Sequence, residues 1–62
     1  MTLTITIAMD NAAFTDESNG FEVARILRTL AMELDGSILQ PGDKSPAMDV
    51  NGNRVGQAVV TA

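Results

Sequence analysis

The stretch MDVNGNRVGQAVV, residues 48–60, decides the fold, because it holds the clearest turn signal in the chain. Asn51-Gly52 is the dipeptide that two-residue hairpin loops prefer, since both central residues of a type I′ turn need a positive φ. The flanking residues are rich in valine and alternate with polar side chains, as hairpin strands do. We therefore predict two strands, over residues 47–50 and 53–60, joined by a type I′ turn at Asn51-Gly52.

The length of this loop sets which side chains meet across the hairpin. With a two-residue loop, Met48 faces Val55 on one side of the sheet, and Asp49 faces Arg54 on the other as an opposite-charge pair. A three-residue loop would mix polar and apolar side chains on each face, so the two-residue loop is favoured. Arg54 is also a candidate contact to a ligand.

The same stretch departs from the metal- and phosphate-binding motifs that it partly matches. Asp49, Asn51 and Asn53 match the first three ligand positions of an EF-hand calcium loop, but that loop needs glycine where Arg54 stands and glutamate where Val60 stands. The segment GNRVG is neither a Walker loop nor a dinucleotide fingerprint, and a predicted strand, not a helix, follows it. We therefore predict no metal site here, and a mainly structural hairpin.

Two further elements precede the hairpin. Residues 2–8, TLTITIA, alternate threonine with leucine and isoleucine, which is typical of a strand with one apolar face. Residues 21–35 repeat apolar side chains at helical spacing, with Asn19 as the expected N-cap and Gly36 at the usual position of a helix C-terminal glycine. The apolar stripe of this helix is predicted to comprise Val23, Leu27, Leu30 and Leu34, widened by Ala24, Ile26 and Ala31.

The remaining segments are predicted loops. Residues 9–20 are polar and contain Asp10 and Asn11, which are candidate contacts to a partner. Phe14 interrupts this polar segment, and it either folds back onto the core or anchors a partner. Residues 36–46, with two prolines and two glycines, are predicted to be a flexible connector whose role the sequence does not define.

These elements predict an α+β fold: a β-α-β-β domain over residues 1–62, with one helix packed on a three-stranded sheet. The first strand is a candidate neighbour of the C-terminal strand. A chain of 62 residues is only marginally stable alone. Cysteine and histidine are absent, so disulfides and the usual zinc sites are excluded and no cofactor is expected. A homodimer or higher homo-oligomer is therefore expected to complete the fold.

Charge and composition limit the function. Eight acidic residues against four Lys and Arg give a net charge of −4, which argues against direct nucleic-acid binding and is compatible with a basic protein partner. Mild acidity also serves solubility. No apolar run approaches the roughly 18 residues of a membrane span, and the N-terminus lacks a signal-peptide pattern, so a cytoplasmic protein is expected.

Candidate chemistry is sparse. The chain lacks His, Cys and Tyr, and its serines lie in no nucleophile motif, so we expect a protein that is not an enzyme. Arg25 and Arg28 belong to a solvated helix face or form a pair of cations for an anionic ligand.

Three segments, DNAAF at 10–14, EVARILRTLA at 22–31 and NGNRVG at 51–56, together resemble a family of small proteins encoded in phages and prophages. The resemblance covers nearly the whole chain in the same order. It implies a phage-encoded accessory protein in the bacterial cytoplasm, and it carries over no functional residues.

Small acidic phage proteins often oppose bacterial defence, so the resemblance raises the expectation of an anti-defence inhibitor that binds a host defence protein stoichiometrically, as anti-CRISPR proteins do. A first alternative is a sponge that sequesters a cyclic or ADP-ribose-type nucleotide signal, with Arg25, Arg28 and Arg54 meeting across a subunit interface. A second is a structural or regulatory phage protein.

Overall fold

The chain folds as one helix packed on a three-stranded antiparallel sheet, which confirms the predicted α+β class and the β-α-β-β order. The computed structural model describes residues 1–15 and 17–62. The elements are strand β1 (Thr2–Ile7), a 3₁₀ turn (Ala12–Phe14), helix α1 (Asn19–Leu34), strand β2 (Lys44–Met48) and strand β3 (Arg54–Thr61).

The sheet has the order β1-β3-β2, so the C-terminal strand lies in its centre. β1 runs antiparallel to β3, with Thr2 opposite Thr61 and Ile7 opposite Gly56. This is the neighbour that the sequence suggested for the first strand. Because directly opposed residues share a face, the leucine and isoleucines of β1 lie on the helix side and its threonines on the outer side.

The helix buries a line of positions four residues apart, Glu22, Ile26 and Leu30. The predicted apolar stripe included Leu27, but Leu27 is 41% exposed. The buried side of the helix is instead the side of Ile26 and Leu30. Phe14 is buried in the same core, so its interpretation as a residue that folds back is confirmed and its interpretation as an exposed anchor is wrong. The core cluster consists of Phe14, Ile26, Leu30, Ala47 and Ala58, flanked by Ile7, Ala13, Val23 and Val55.

The turn of the β2–β3 hairpin differs from the prediction. Its loop has three residues, 50–52, because the Asp49 amide donates to the Asn53 carbonyl (2.8 Å) and the Gly52 amide donates to the Asp49 carbonyl (3.1 Å). Gly52 has a φ of 84°, whereas Asn51 does not have the positive φ that a type I′ turn requires. The type I′ prediction is therefore wrong, and the turn follows the three-residue pattern with glycine last.

A bulge in β3 keeps the strands in the predicted register despite the longer loop. Met48 lies opposite Arg54, but Ala47 lies opposite Gly56, so Val55 is the extra residue. From Ala47 to Lys44 the pairing is the one that a two-residue loop would give. The predicted Asp49–Arg54 pair is wrong, because the three-residue loop places Asp49 opposite Asn53 and Arg54 opposite Met48, before the bulge restores the register.

Two boundaries also differ. The segment predicted to be a flexible connector contains the first three residues of β2, Lys44 to Pro46. Proline is accepted there because β2 is an edge strand, whose outward positions need no amide donor. The helix begins at Asn19 with Ser18 as its N-cap, not with Asn19 in that role. Gly36, with a φ of 78°, follows the helix as predicted.

Candidate functional site

The three segments that carry the resemblance meet in one polar cluster at the hairpin end of the molecule. We call this cluster the hairpin network. Its side chains are Asn11 from the loop after β1, Glu22 and Arg25 from α1, and Asp49 and Asn53 from the hairpin. Residues far apart in sequence are thereby joined through hydrogen bonds.

Asp49 is the buried centre of the hairpin network. One carboxylate oxygen, Oδ1, accepts from the amides of Asn51 (2.9 Å) and Asn53 (2.8 Å). The other, Oδ2, accepts from the Asn11 side chain (2.7 Å) and the Asn53 side chain (3.2 Å). Burial raises the pKa of Asp49, but these hydrogen bonds together outweigh burial and the pKa is lowered. The charged carboxylate of Asp49 therefore holds the hairpin loop closed by accepting hydrogen bonds from the loop amides.

Asn11 links that carboxylate to the core. Its side-chain oxygen accepts from the Ala13 amide (3.0 Å) and so caps the 3₁₀ turn that carries Phe14 inward. Its amide group donates to Asp49, as above. The structure thus gives Asn11 a structural position, while its neighbour Asp10 is exposed.

Glu22 and Arg25 tie the helix to the hairpin. Arg25 donates from Nε to Glu22 Oε1 (2.6 Å), and its Nη2 donates to the Met48 carbonyl (2.9 Å). Glu22 also accepts from the Val50 amide (2.7 Å). The hydrogen bond from Arg25 is the main reason that the pKa of Glu22 is lowered, and the same bond raises the pKa of Arg25. An anionic ligand at Arg25 would have to compete with Glu22.

The three candidate arginines do not line one site. The Arg54 side chain donates to Gln57 (2.9 Å) on the exposed start of β3. Arg25 borders a small depression of about 60 Å³ against β2, whereas Arg28 borders a different and wider one. In residues 1–15 and 17–62, no group of three or more acidic residues is placed to hold a metal ion.

The wider depression lies on the solvent side of α1. Phe21, Ala24, Arg28 and Met32 follow one another at helical spacing on this side, and we call them the outer face. Phe21 is 77% exposed and Met32 is 73% exposed. Arg28 is exposed and has no hydrogen-bond or ion-pair partner within the described part of the chain. The depression has a volume of about 440 Å³ and is lined by Glu17, Ser18, Gly20, Phe21, Ala24 and Arg28.

An exposed aromatic side chain beside an exposed guanidinium suits the surface of another protein. Aromatic residues and arginine are the types enriched at energetically important positions of protein interfaces. An enclosed small-molecule site would instead surround its ligand with apolar walls. The sequence interpretation identified Arg28 but overlooked Phe21, seven residues before it, and Met32, four residues after it, although these spacings place all three on one side of the helix.

No helix in the described part of the chain has the length and apolarity needed to cross a membrane. Comparison of this chain with protein-family models, with curated proteins and with solved structures gives no match.

Proposed function

We propose that this protein is a non-enzymatic, phage-encoded accessory protein that binds a host defence protein stoichiometrically in the bacterial cytoplasm and inhibits it, as an anti-CRISPR protein does. The observation that carries the proposal is the outer face, where Phe21 is 77% exposed beside Arg28, an exposed cation with no partner among residues 1–15 and 17–62. The phage context and the anti-defence role rest on the sequence resemblance.

The outer face has no role in the core. The helix packs on the sheet through Ile26 and Leu30, and Phe21 lies on the opposite side. A helix that served only to cover the sheet would be stable with polar side chains in place of Phe21 and Met32. An exposed aromatic on a chain with only two phenylalanines is therefore better explained by a partner that covers it.

The charge balance favours a basic partner. The chain carries −4 overall, and the Glu22–Arg25 pair cancels internally, so the remaining surface is acidic. Complementary charge speeds encounter with a basic surface and discriminates against acidic ones. We therefore propose that the partner is a nucleic-acid-binding defence protein with an apolar pocket for Phe21 beside its basic surface.

The nucleotide sponge has weaker support. It needs several free arginines around one concave site, whereas Arg25 is held by Glu22 and Met48, and Arg28 lies on the outer face. The melting temperature can be measured with a panel of cyclic and ADP-ribose-type nucleotides. A rise in melting temperature with one of them would favour the sponge over the protein inhibitor.

The test uses the full chain with an affinity tag, expressed in the bacterial host. Phe21→Ala and Arg28→Ala alter the outer face, and Ile38→Ala removes a still more exposed apolar side chain elsewhere. We expect the wild type and Ile38→Ala to retain one host protein that both outer-face variants lose.

Capture alone is not sufficient. The purified partner must bind nucleic acid, and that binding must be abolished at a one-to-one ratio of this chain. The proposal is wrong if the outer-face variants inhibit as well as the wild type, or if inhibition requires a large excess.

A further inference from the structure

The free edge of β1 is an unprotected pairing surface. The Ala8 amide donates to the Val55 carbonyl (2.8 Å), so the even-numbered positions of this segment direct their backbone groups to β3. Because backbone groups alternate in an antiparallel pair, the amides and carbonyls of Leu3, Ile5 and Ile7 point to the open side. β3 is the only strand that β1 pairs with in the described part of the chain.

The two edges of the sheet differ in their protection against pairing. β2, at one edge, carries Lys44 and Pro46 and ends next to a bulge in its partner strand, which are features that discourage strand addition. β1, at the other edge, reads TLTITI and contains no charge, proline or glycine. A strand whose edge is paired or covered by a partner does not need such protection. The lack of it in β1 therefore indicates that a partner covers this edge.

The helix side of β1 is also incompletely covered. Leu3 is 42% exposed and Ile5 is 39% exposed, although both face the side on which the helix packs. Met1 and Met9, at either end of the strand, are exposed as well. With Ile7 these residues form an apolar row at alternate positions, and α1 does not extend far enough across the sheet to cover it.

The accessible area and the radius of gyration are both larger than those of a compact monomer of this size. The accessible area is 4229 Å², against about 3,800 Å² expected for a folded monomer of 6.5 kDa. The radius of gyration is 12.2 Å, against about 10.6 Å for a compact domain of this length. A second copy that covered the β1 edge would reduce this excess of exposed surface.

We propose that β1 pairs antiparallel with β1 of a second copy, about a two-fold axis perpendicular to the sheet at Ile5. Ile5 then lies opposite Ile5 of the other copy, and Leu3 lies opposite Ile7. All the outward-pointing backbone groups of the strand find partners, and the two sheets become one continuous sheet with both helices on the same side.

The register follows from the symmetry of the sequence. A closed dimer needs a surface that is complementary to itself, and the row Met1, Leu3, Ile5, Ile7, Met9 reads as apolar in both directions from Ile5. A shift by one residue would place threonines opposite isoleucines on the wrong face. A shift by two would leave an outward-pointing residue of the strand unpaired.

Hydrogen exchange of the wild-type chain tests this pairing without a substitution. At a total chain concentration about 100-fold above the dissociation constant, about 7% of the chains remain monomeric, so exchange at Leu3, Ile5 and Ile7 should slow about 15-fold relative to the diluted chain. The amides of Thr4 and Thr6 should be protected at both concentrations, because they bond to β3. Fast exchange at Leu3, Ile5 and Ile7 at every concentration would overturn the proposal.

A mass measurement with matched variants tests the same contact. Light scattering should give twice 6.5 kDa for the wild type. Ile5→Lys places two ammonium groups opposite each other at the axis and should give the single-chain mass with an unchanged circular dichroism spectrum. Met32→Lys adds the same charge on the outer face and should remain dimeric. A monomeric wild type, or an Ile5→Lys variant as dimeric as the wild type, contradicts the proposal.

This dimer does not depend on the proposed function, because β1 and the outer face are separate surfaces. If Ile5→Lys is monomeric and still inhibits the partner, the dimer stands and the inhibitor acts as a single chain. If the outer-face variants stay dimeric but lose inhibition, both proposals stand.

Discussion

Replacing Gly56 with alanine is expected to damage the sheet, because the backbone of β1 fills the space that a side chain at this residue of β3 would need. An alanine Cβ at position 56 would overlap the Thr6 carbonyl oxygen and would lie 2.7 Å from its carbonyl carbon and 3.1 Å from the Ile7 Cα. These atoms belong to the backbone of β1, so no side chain can rotate away. Carbon atoms pack best about 3.5–4.0 Å apart, so β1 must move roughly 1 Å from β3.

The magnitude follows from what that movement breaks. The neighbouring hydrogen bond from the Ala8 amide to the Val55 carbonyl is 2.8 Å long, and a displacement of this size takes it out of hydrogen-bonding range. Each lost bond costs about 1 kcal/mol. Overpacking itself typically costs about 1–3 kcal/mol, so the total is about 2–4 kcal/mol. For a domain of this length, that loss lowers the melting temperature by roughly 10–30 °C.

Thermal unfolding followed by circular dichroism measures this effect, and Gly20→Ala is the matched control. Gly20 lies in α1, and apart from its chain neighbours and the helix backbone no atom of the described residues lies within 4 Å of an added Cβ. Alanine should therefore stabilise the helix there, by up to about 1 kcal/mol. A Gly56→Ala variant that melts within about 2 °C of the wild type would refute the close approach of β1 to β3.

Three further predictions concern the core, the hairpin network and the outer face. Ile26→Ala, at a fully buried position, should lower the free energy of unfolding in urea by about 2–5 kcal/mol; a loss below about 1 kcal/mol would contradict its place in the core. Folding lowers the pKa of both Glu22 and Asp49, so their stabilisation is present above the unfolded-chain values near pH 4 and is lost as the pH falls through the lowered values. The urea midpoint should fall in acid for the wild type and change less for the combined Glu22→Gln and Asp49→Asn variant; equal pH dependence would count against the network. Phe21→Ser should leave the free energy of unfolding within about 0.5 kcal/mol of the wild type, and a larger loss would mean that Phe21 supports the fold.

The sequence predicts the elements well because their patterns are local. The alternation in TLTITI requires one apolar face, and the spacing of apolar residues after Asn19 requires a helix. The pairing of Ala47 with Gly56 was also predictable, since only one register keeps apolar residues on the same face. These features depend on residues that are neighbours in the chain.

The loop of the hairpin was not predictable in the same way. Its closure depends on the carboxylate of Asp49, which is held in place by Asn11, 38 residues earlier in the chain. Glu22 looks like a surface residue in sequence, yet it is buried because the Val50 amide and Arg25 satisfy its oxygens. Buried acids of this kind become evident only when the partners from distant segments are in place.

The resemblance segments acquire a physical meaning from this network. Asn11, Glu22 and Asp49 hold three segments together at the hairpin end, so these residues serve the fold. Under the proposed function, partner recognition falls to exposed side chains that the network does not use, above all Phe21 and Arg28 on the outer face. A chain that shared only the network residues would be expected to share the fold without sharing the partner.

Crosslinking from the outer face in the bacterial host tests the central claim most directly. A photo-crosslinking phenylalanine analogue placed at position 21, and in a separate chain at position 38, compares two exposed apolar positions on different surfaces. The account predicts a single crosslinked species from position 21, containing one copy of a nucleic-acid-binding host protein, and none from position 38. No such species from position 21, or the same species from both positions, would contradict the account.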